Sequence, residues 1–237
     1  MAETNQSKHY IDKIKKILIE TISPQALLQE MVPLCVQIMR LLVEGHPIPP
    51  EQIASICHIP VNEAGNHLIK FKKMGMAELD DNGNIIAMVL SLSSTPHRFR
   101  VKGNNLFTWC AIDTLFLPAV LKQSADVESI CPITNTKINL TITPEGIEKV
   151  NPSDAFVSIV APRVTEGITS TCGSNGSCAP DSLTGSQGSF CSNVHFFSSY
   201  EAGSKWFTNF EGGCLLSTEE AYKLAYDIWA KPFLESI

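Results

Sequence analysis

No apolar run in this chain approaches the roughly 20 residues that a membrane-spanning helix needs, and positive charge is in short supply. The 237 residues carry 18 Lys and Arg against 24 Asp and Glu, a net charge of −6. The first shortage argues against a helical membrane span. The second argues against a protein whose main task is gripping phosphate backbones. The opening residues, Met1 to Lys8, are polar and lack the charged start, apolar middle and small-residue cleavage site of a signal peptide, so a cytoplasmic location is expected. Cys-x-x-Cys is absent as well, which removes the usual signature of a dithiol redox pair.

The sequence has an ordinary globular composition, 44% hydrophobic and 18% charged, and is long enough for one large domain or two modest ones. It also has eight cysteines: Cys35, Cys57, Cys110, Cys131, Cys172, Cys178, Cys191 and Cys214. A chain this large and apolar needs no disulfide stapling. In a reducing compartment its thiols are buried fillers, metal ligands or nucleophiles.

The N-terminal part reads as helices. Tyr10, Ile11, Ile14, Ile17 and Leu18 recur at helical spacing, Ser23 with Pro24 suits a cap and first turn, and Pro33 starts a helix that Gly45 ends. Helical patterns follow over Glu51 to Cys57 and Val61 to Met74. Two short apolar runs then flank the turn Asp81-Asn82-Gly83-Asn84, a hairpin signal. Helix, helix, hairpin is the order of a winged helix-turn-helix. Lys70, Lys72 and Lys73 on its second helix could touch phosphates or simply face water. From about Ser91 short strands take over: His97 to Val101, Ile138 to Thr143, Ala155 to Ala161 and Ser192 to Phe197. Thr165 to Gly188 is dense in Gly, Ser and Thr and reads as a long loop holding Cys172 and Cys178. Ser217 and Glu220 form a capping box for a last helix whose apolar face runs to Trp229, with Pro232 as its stop. The expected fold is α+β. A winged-helix-like helical part over 1–90 precedes an antiparallel β core with flanking helices over 91–237.

Two segments carry chemistry. In Thr108-Trp109-Cys110-Ala111-Ile112-Asp113 a thiol stands three residues before a carboxylate, so on a helix the two share a face. A thiolate is a soft ligand and a nucleophile, and a neighbouring carboxylate can take and return a proton. The same string also suits a buried cysteine beside a helix-capping aspartate. In Phe190 to Phe197, strand alternation sends Phe190, Val194 and Phe196 to a core and Cys191, Asn193 and His195 to the opposite face. A zinc site of Cys172, Cys178, Cys191 and His195 is a competing arrangement. Its first pair, however, is separated by five residues, wider than usual.

The run Phe107-Thr108-Trp109-Cys110-Ala111-Ile112-Asp113-Thr114-Leu115-Phe116 resembles the organomercurial (alkylmercury) lyase family. So do Ser129-Ile130-Cys131-Pro132-Ile133-Thr134, Phe190-Cys191 leading into Val194-His195-Phe196-Phe197, and the upstream Thr95-Pro96-His97-Arg98-Phe99. The resemblance implies protonolysis of a carbon–mercury bond to a hydrocarbon and mercuric ion. It makes Cys110 and Cys191 the mercury-binding thiols and Asp113 the proton carrier and third member of the metal site. It implies no organic cofactor, external cytosolic thiols as acceptors, and a mercuric reductase as a partner taking the product. Cys131 would be a buried structural cysteine. The sequence departs from the family where Ser192 and Asn193 replace a cysteine and a histidine that often follow the second thiol. Its Cys172/Cys178 loop is also unusual: those thiols either help acquire mercury or are incidental. Two rival functions stand beside the lyase: a thiol protein that sequesters soft metal without chemistry, and a metal-responsive DNA-binding regulator.

Overall fold

The computed structural model describes residues 2–21, 31–160, 163–165, 168–170, 190–208 and 213–236. The expected cap at Ser23 and Pro24, and Cys172 and Cys178, lie outside these residues.

Helix α1 (Ala2–Thr21) buries Ile14 and Leu18, and Lys15 pairs with Asp227 near the C-terminus. Helix α2 (Val32–Leu42) has Pro33 in its first turn, where a missing N–H costs nothing. Gly45, at φ +79°, lets the chain turn away after it, and Asn104 reaches from the β core to donate to the Val43 carbonyl (2.9 Å). Helices α3 (Pro50–Cys57) and α4 (Val61–Lys73) pack on each other, joined through His58 in a left-handed conformation. Strands β1 (Glu78–Leu79) and β2 (Ile85–Met88) form the expected hairpin, its turn tied by Asp80 accepting the amides of Asn82 and Asn84.

That hairpin hydrogen-bonds onward into a larger sheet. With β3 (Leu90–Ser91), β4 (His97–Val101), β5 (Asn104–Thr108), β6 (Ala125–Ile130), β7 (Lys137–Thr143) and β8 (Gly146–Asn151) it makes an eight-stranded antiparallel sheet in the order β1-β2-β3-β5-β4-β6-β7-β8. The burial of β4 alternates strictly, so Phe99 and Val101 face inward while Arg98 and Arg100 face out. The outer face is salt-bridged: Arg100 with Asp126, and both Arg98 and Lys137 with Glu128.

Against the inner face lies α5 (Ala111–Leu121), whose eleven residues are all buried. Helix propensity does little for a segment that contains Pro118. Burial of Leu115, Phe116, Leu117 and Val120, at about 1.5–3 kcal/mol per side chain, is what holds it. The layer beyond is the C-terminal helix α7 (Thr218–Ala225), capped by Ser217 and Glu220 as expected. Pro232 does not end it. The helix widens into a π turn over Tyr226–Ala230, and Pro232 then sits in the first turn of α8 (Lys231–Glu235), where no upstream hydrogen bond is demanded of it. Trp229 and Phe233 stack near Phe116.

A second sheet carries β9 (Phe156–Val160) at its centre. A short hairpin of β10 (Arg163–Thr165) and β11 (Ile168–Ser170) follows β9, so the expected long loop begins with a strand pair. The expected strand over Ser192 to Phe197 shrinks to β12 (Phe196–Phe197), and Cys191–Asn193 is a 3₁₀ turn. Helix α6 (Tyr200–Phe207), capped by Ser199, and β13 (Gly213–Ser217) complete this part, with β12 and β13 flanking β9 antiparallel.

Candidate active site

Strand β5 ends at Thr108, whose hydroxyl donates to the Cys110 carbonyl (3.0 Å). Cys110 is extended, with φ −147° and ψ 175°, because it is the N-cap of α5 and not its first helical residue. A helix start leaves amides without internal partners, and here they are taken up by the site itself. The Asp113 amide donates to the Cys110 sulfur, and the Asp113 carboxylate accepts the Cys110 amide (2.9 Å). The next amide, from Ala111, donates to the Val194 carbonyl (3.2 Å) of the Cys191 segment. The shared helix face expected for Cys110 and Asp113 is thus a capping box. Both readings of the string hold at once: a buried cysteine beside a capping aspartate, and a thiol–carboxylate pair in contact.

Cys191 lies in the 3₁₀ turn, whose Asn193 amide bonds back to Phe190 (3.0 Å) and Val194 amide to Cys191 (3.2 Å). Cys110 Sγ, Cys191 Sγ and an Asp113 carboxylate oxygen all lie within 4.8 Å of one another. Cys110 is fully buried, Asp113 is 7% exposed and Cys191 is half-buried. The group therefore has one open side, at Cys191.

Electrostatics at this site favours neutral forms. Burial raises the Cys110 thiol well above its ordinary value, reinforced by its hydrogen bond to Cys191 and the nearby charge of Asp113, against one helix amide that lowers it. Burial also lifts the Asp113 carboxyl to about 7, although the amides of Cys110 and Trp109 and the Cys110 thiol pull the other way. A carboxyl near 7 beside a thiol can hold or release a proton at neutral pH.

Cys131 is buried, as expected, in the turn before β7, where its amide donates to Thr136 and its carbonyl accepts from Asn135. Burial alone would raise its thiol, but the Thr134 hydroxyl and the amides of Ser198, Thr134 and Ile133 hold it below the ordinary range. The His195 ring packs against His97, Phe197 and Trp206. Among the described residues the only potential metal-binding group is Cys110, Asp113 and Cys191; His195 does not join it. Sequence reasoning placed His97 on a strand and in a family-like segment but assigned it no role; it is a buried imidazole held by Ser129 (2.8 Å) and pushed down to about 3 by burial and by His195. Ser158, which hydrogen-bonds to Asn193 and His195 beside Cys191, was not singled out in the sequence. A lone serine inside the apolar run Phe156-Val157-Ser158-Ile159-Val160 was the available signal.

Two soft sulfurs and a carboxyl, converging where a fully buried helix begins, are a donor set that can hold a thiophilic metal. Comparison with known proteins says which kind. The family model of alkylmercury lyase matches residues 90–182, a span that takes in Cys110 and Asp113 but stops short of Cys191. The alkylmercury lyase of Staphylococcus epidermidis is 34% identical over 194 residues, covering 82% of this chain and 80% of that protein. That of Pseudomonas putida is 32% identical over 212 residues, covering 89% and 90%. In fold, the chain matches a crystal structure of the mercury-bound form of MerB2 with a TM-score of 0.69 at 20% identity, covering 93% of this chain and 98% of that one. The chain belongs to the alkylmercury lyase family.

Proposed function

We propose that this protein is an organomercurial lyase in which Cys110, Cys191 and Asp113 cleave the carbon–mercury bond. The observation that carries the reading is the meeting of two sulfurs and one carboxyl within 4.8 Å. As a mercurial enters, the Cys191 sulfur bonds mercury and displaces its labile partner, which leaves with the Cys191 proton. Asp113, with a carboxyl near 7, takes the proton from Cys110. The second thiolate adds its electron pair to mercury. The electron pair of the carbon–mercury bond then becomes a carbon–hydrogen bond as Asp113 returns the proton. Hydrocarbon leaves, and mercury remains on two thiolates. Two external thiols carry it off and re-protonate the cysteines, so no organic cofactor takes part. Burial serves this chemistry: it keeps Asp113 protonatable and denies the carboxyl competing water.

The proposal extends to a cytoplasmic setting with cytosolic thiols, and to a mercuric reductase as recipient of the product. It takes 1–90 as a winged-helix-like unit serving as scaffold, supported by the packed α3–α4 pair and the hairpin behind it, and 91–237 as the lyase core. Exposed Lys70, Lys72 and Lys73 then simply face water. Among the described residues, no helix is long and apolar enough to cross a membrane.

The test is direct. Purified protein incubated with a phenylmercury salt and excess thiol releases benzene. Stoichiometric mercury binding without benzene would replace the lyase with a sequestering protein. A shifted DNA duplex at low salt would revive the regulator.

A further inference from the structure

The two thiols are held in different ways. Cys110 is anchored by the start of a buried helix, whereas Cys191 sits on a three-residue turn with no side-chain cap. The sheet that should steady the turn stops short of it, since β12 pairs with β9 only through Phe196–Val157 and Phe197–Phe156. One residue further along β9 stands Ser158, fully buried. Its amide continues the ladder by donating to the His195 carbonyl (3.0 Å). Its hydroxyl then does what another strand residue cannot. It accepts the His195 amide (2.9 Å) and donates to the Asn193 carbonyl (2.8 Å), bridging both sides of the point where the chain leaves the sheet and bends into the Cys191 turn. The far side of the same bend is fixed by the Ala111 amide on the Val194 carbonyl, one residue from Cys110. The path from the second sheet to the two-thiol geometry therefore runs from Ser158 to Asn193 and His195, and through Val194 to the cap that holds Cys110.

We propose that Ser158 is a positioning residue for Cys191, its hydroxyl fixing the turn so that the Cys191 and Cys110 sulfurs can hold one mercury together. This rests on the reading that Cys191 binds mercury. A serine serves because a hydroxyl donates and accepts at once and is short enough to stay within the strand. Alanine keeps the backbone bond and removes only the bridge.

The test measures chelation without turnover. Wild-type protein loaded with one equivalent of mercuric chloride is titrated with glutathione, which strips single-thiol sites first, and the concentration that removes the last mercury is recorded. Ser158→Ala is expected to lower that concentration by about tenfold, in the range of coupling between residues of one network, with the thermal midpoint little changed. In a Cys191→Ser background, where no second sulfur remains to be positioned, Ser158→Ala is expected to shift nothing further. Ser158→Thr, which keeps the hydroxyl, should restore most of the loss. An unchanged stripping concentration, an equal shift in both backgrounds, or failure of every Ser158 variant to fold overturns the proposal; the last would mark a purely structural residue. Benzene release by the wild type tests the lyase reading separately. If that fails while mercury still binds, the stripping experiment still decides the role of Ser158.

Discussion

The two halves of the site contrast in how they are built. Cys110 and Asp113 belong to a helix cap, dry and locked by reciprocal hydrogen bonds to backbone. Cys191 rides on a short turn, half-exposed, held by bonds that reach it from β9 and α5. The dry half has the groups whose protonation must be controlled, because burial is what moves a carboxyl to about 7 and keeps a thiol neutral. On the proposed mechanism, the open half is where a mercurial arriving from solvent first meets sulfur. Proton handling needs exclusion of water; capture needs access, and one fully buried site could not supply both.

Turnover should not distinguish the halves. Cys110→Ala and Cys191→Ala are each expected to abolish benzene release, since two thiolates are needed to labilise the bond; substantial activity in either removes that thiol from the mechanism. Asp113→Asn separates binding from chemistry. It should retain mercuric ion against modest thiol yet lose about 100-fold or more in turnover, the usual range for a positioned proton carrier. A normal rate would assign the proton to another source.

Thiol accessibility should separate the halves most cleanly. With a small alkylating agent at pH 8, followed by peptide mass mapping, Cys191 is expected to react more than about tenfold faster than Cys110, which is buried and has a raised thiol. Equal rates would mean that the cap opens as readily as the turn, and the contrast would collapse.

The cap was partly legible in the sequence. The Cys-x-x-Asp spacing put the two side chains within reach, and a capping aspartate was one of its two readings. A spacing cannot say that the cysteine stands before the helix, since N-cap and first-turn residues differ only in backbone angles. The helices α3 and α4 and strands β4 and β7 were legible because their burial follows a local period. The Cys191 segment imitated a strand: Phe190, Val194 and Phe196 are indeed buried. Phe190, however, is buried by packing on Trp229 and not by strand pairing, so the right parity arose from the wrong structure. Pro232 misled similarly, because a π turn resets which carbonyls need partners and no local signal announces one. Ser158 was hidden for a further reason. Its partners lie 35 and 37 residues away, and only the fold brings them together.

The raised carboxyl of Asp113 makes a prediction about stability. The folded state holds this proton up to about pH 7, whereas the ordinary carboxyl releases it near 3.8. The stabilisation from the bound proton is complete below the lower value and is lost as pH rises through the upper one. Relative to Asp113→Asn, the wild type should therefore lose on the order of 4 kcal/mol between pH 4 and 7 and then level off. Denaturant unfolding at a series of pH values measures it. A flat difference would mean that water reaches the carboxyl and that the cap is not dry.

The smallest effect expected bears on what the cap costs the protein. Serine is among the favoured N-cap residues, and cysteine is a weaker acceptor. At Cys110 the Asp113 amide must settle for sulfur. Cys110→Ser places an oxygen there, with the Asp113 carboxyl beside it to receive the hydroxyl proton. The variant should lose mercury chelation and turnover yet gain about 0.5 kcal/mol in stability, toward the lower end of what a cap contributes. Unfolding midpoints of the two proteins at pH 6, below the raised Asp113 value of the wild type, provide the comparison. A stabilised, inactive variant would mean that the sulfur is kept for its chemistry against the preference of the helix it caps. A clear loss of stability would instead mean that the pocket is shaped around sulfur, making Cys110 as much a packing residue as a ligand.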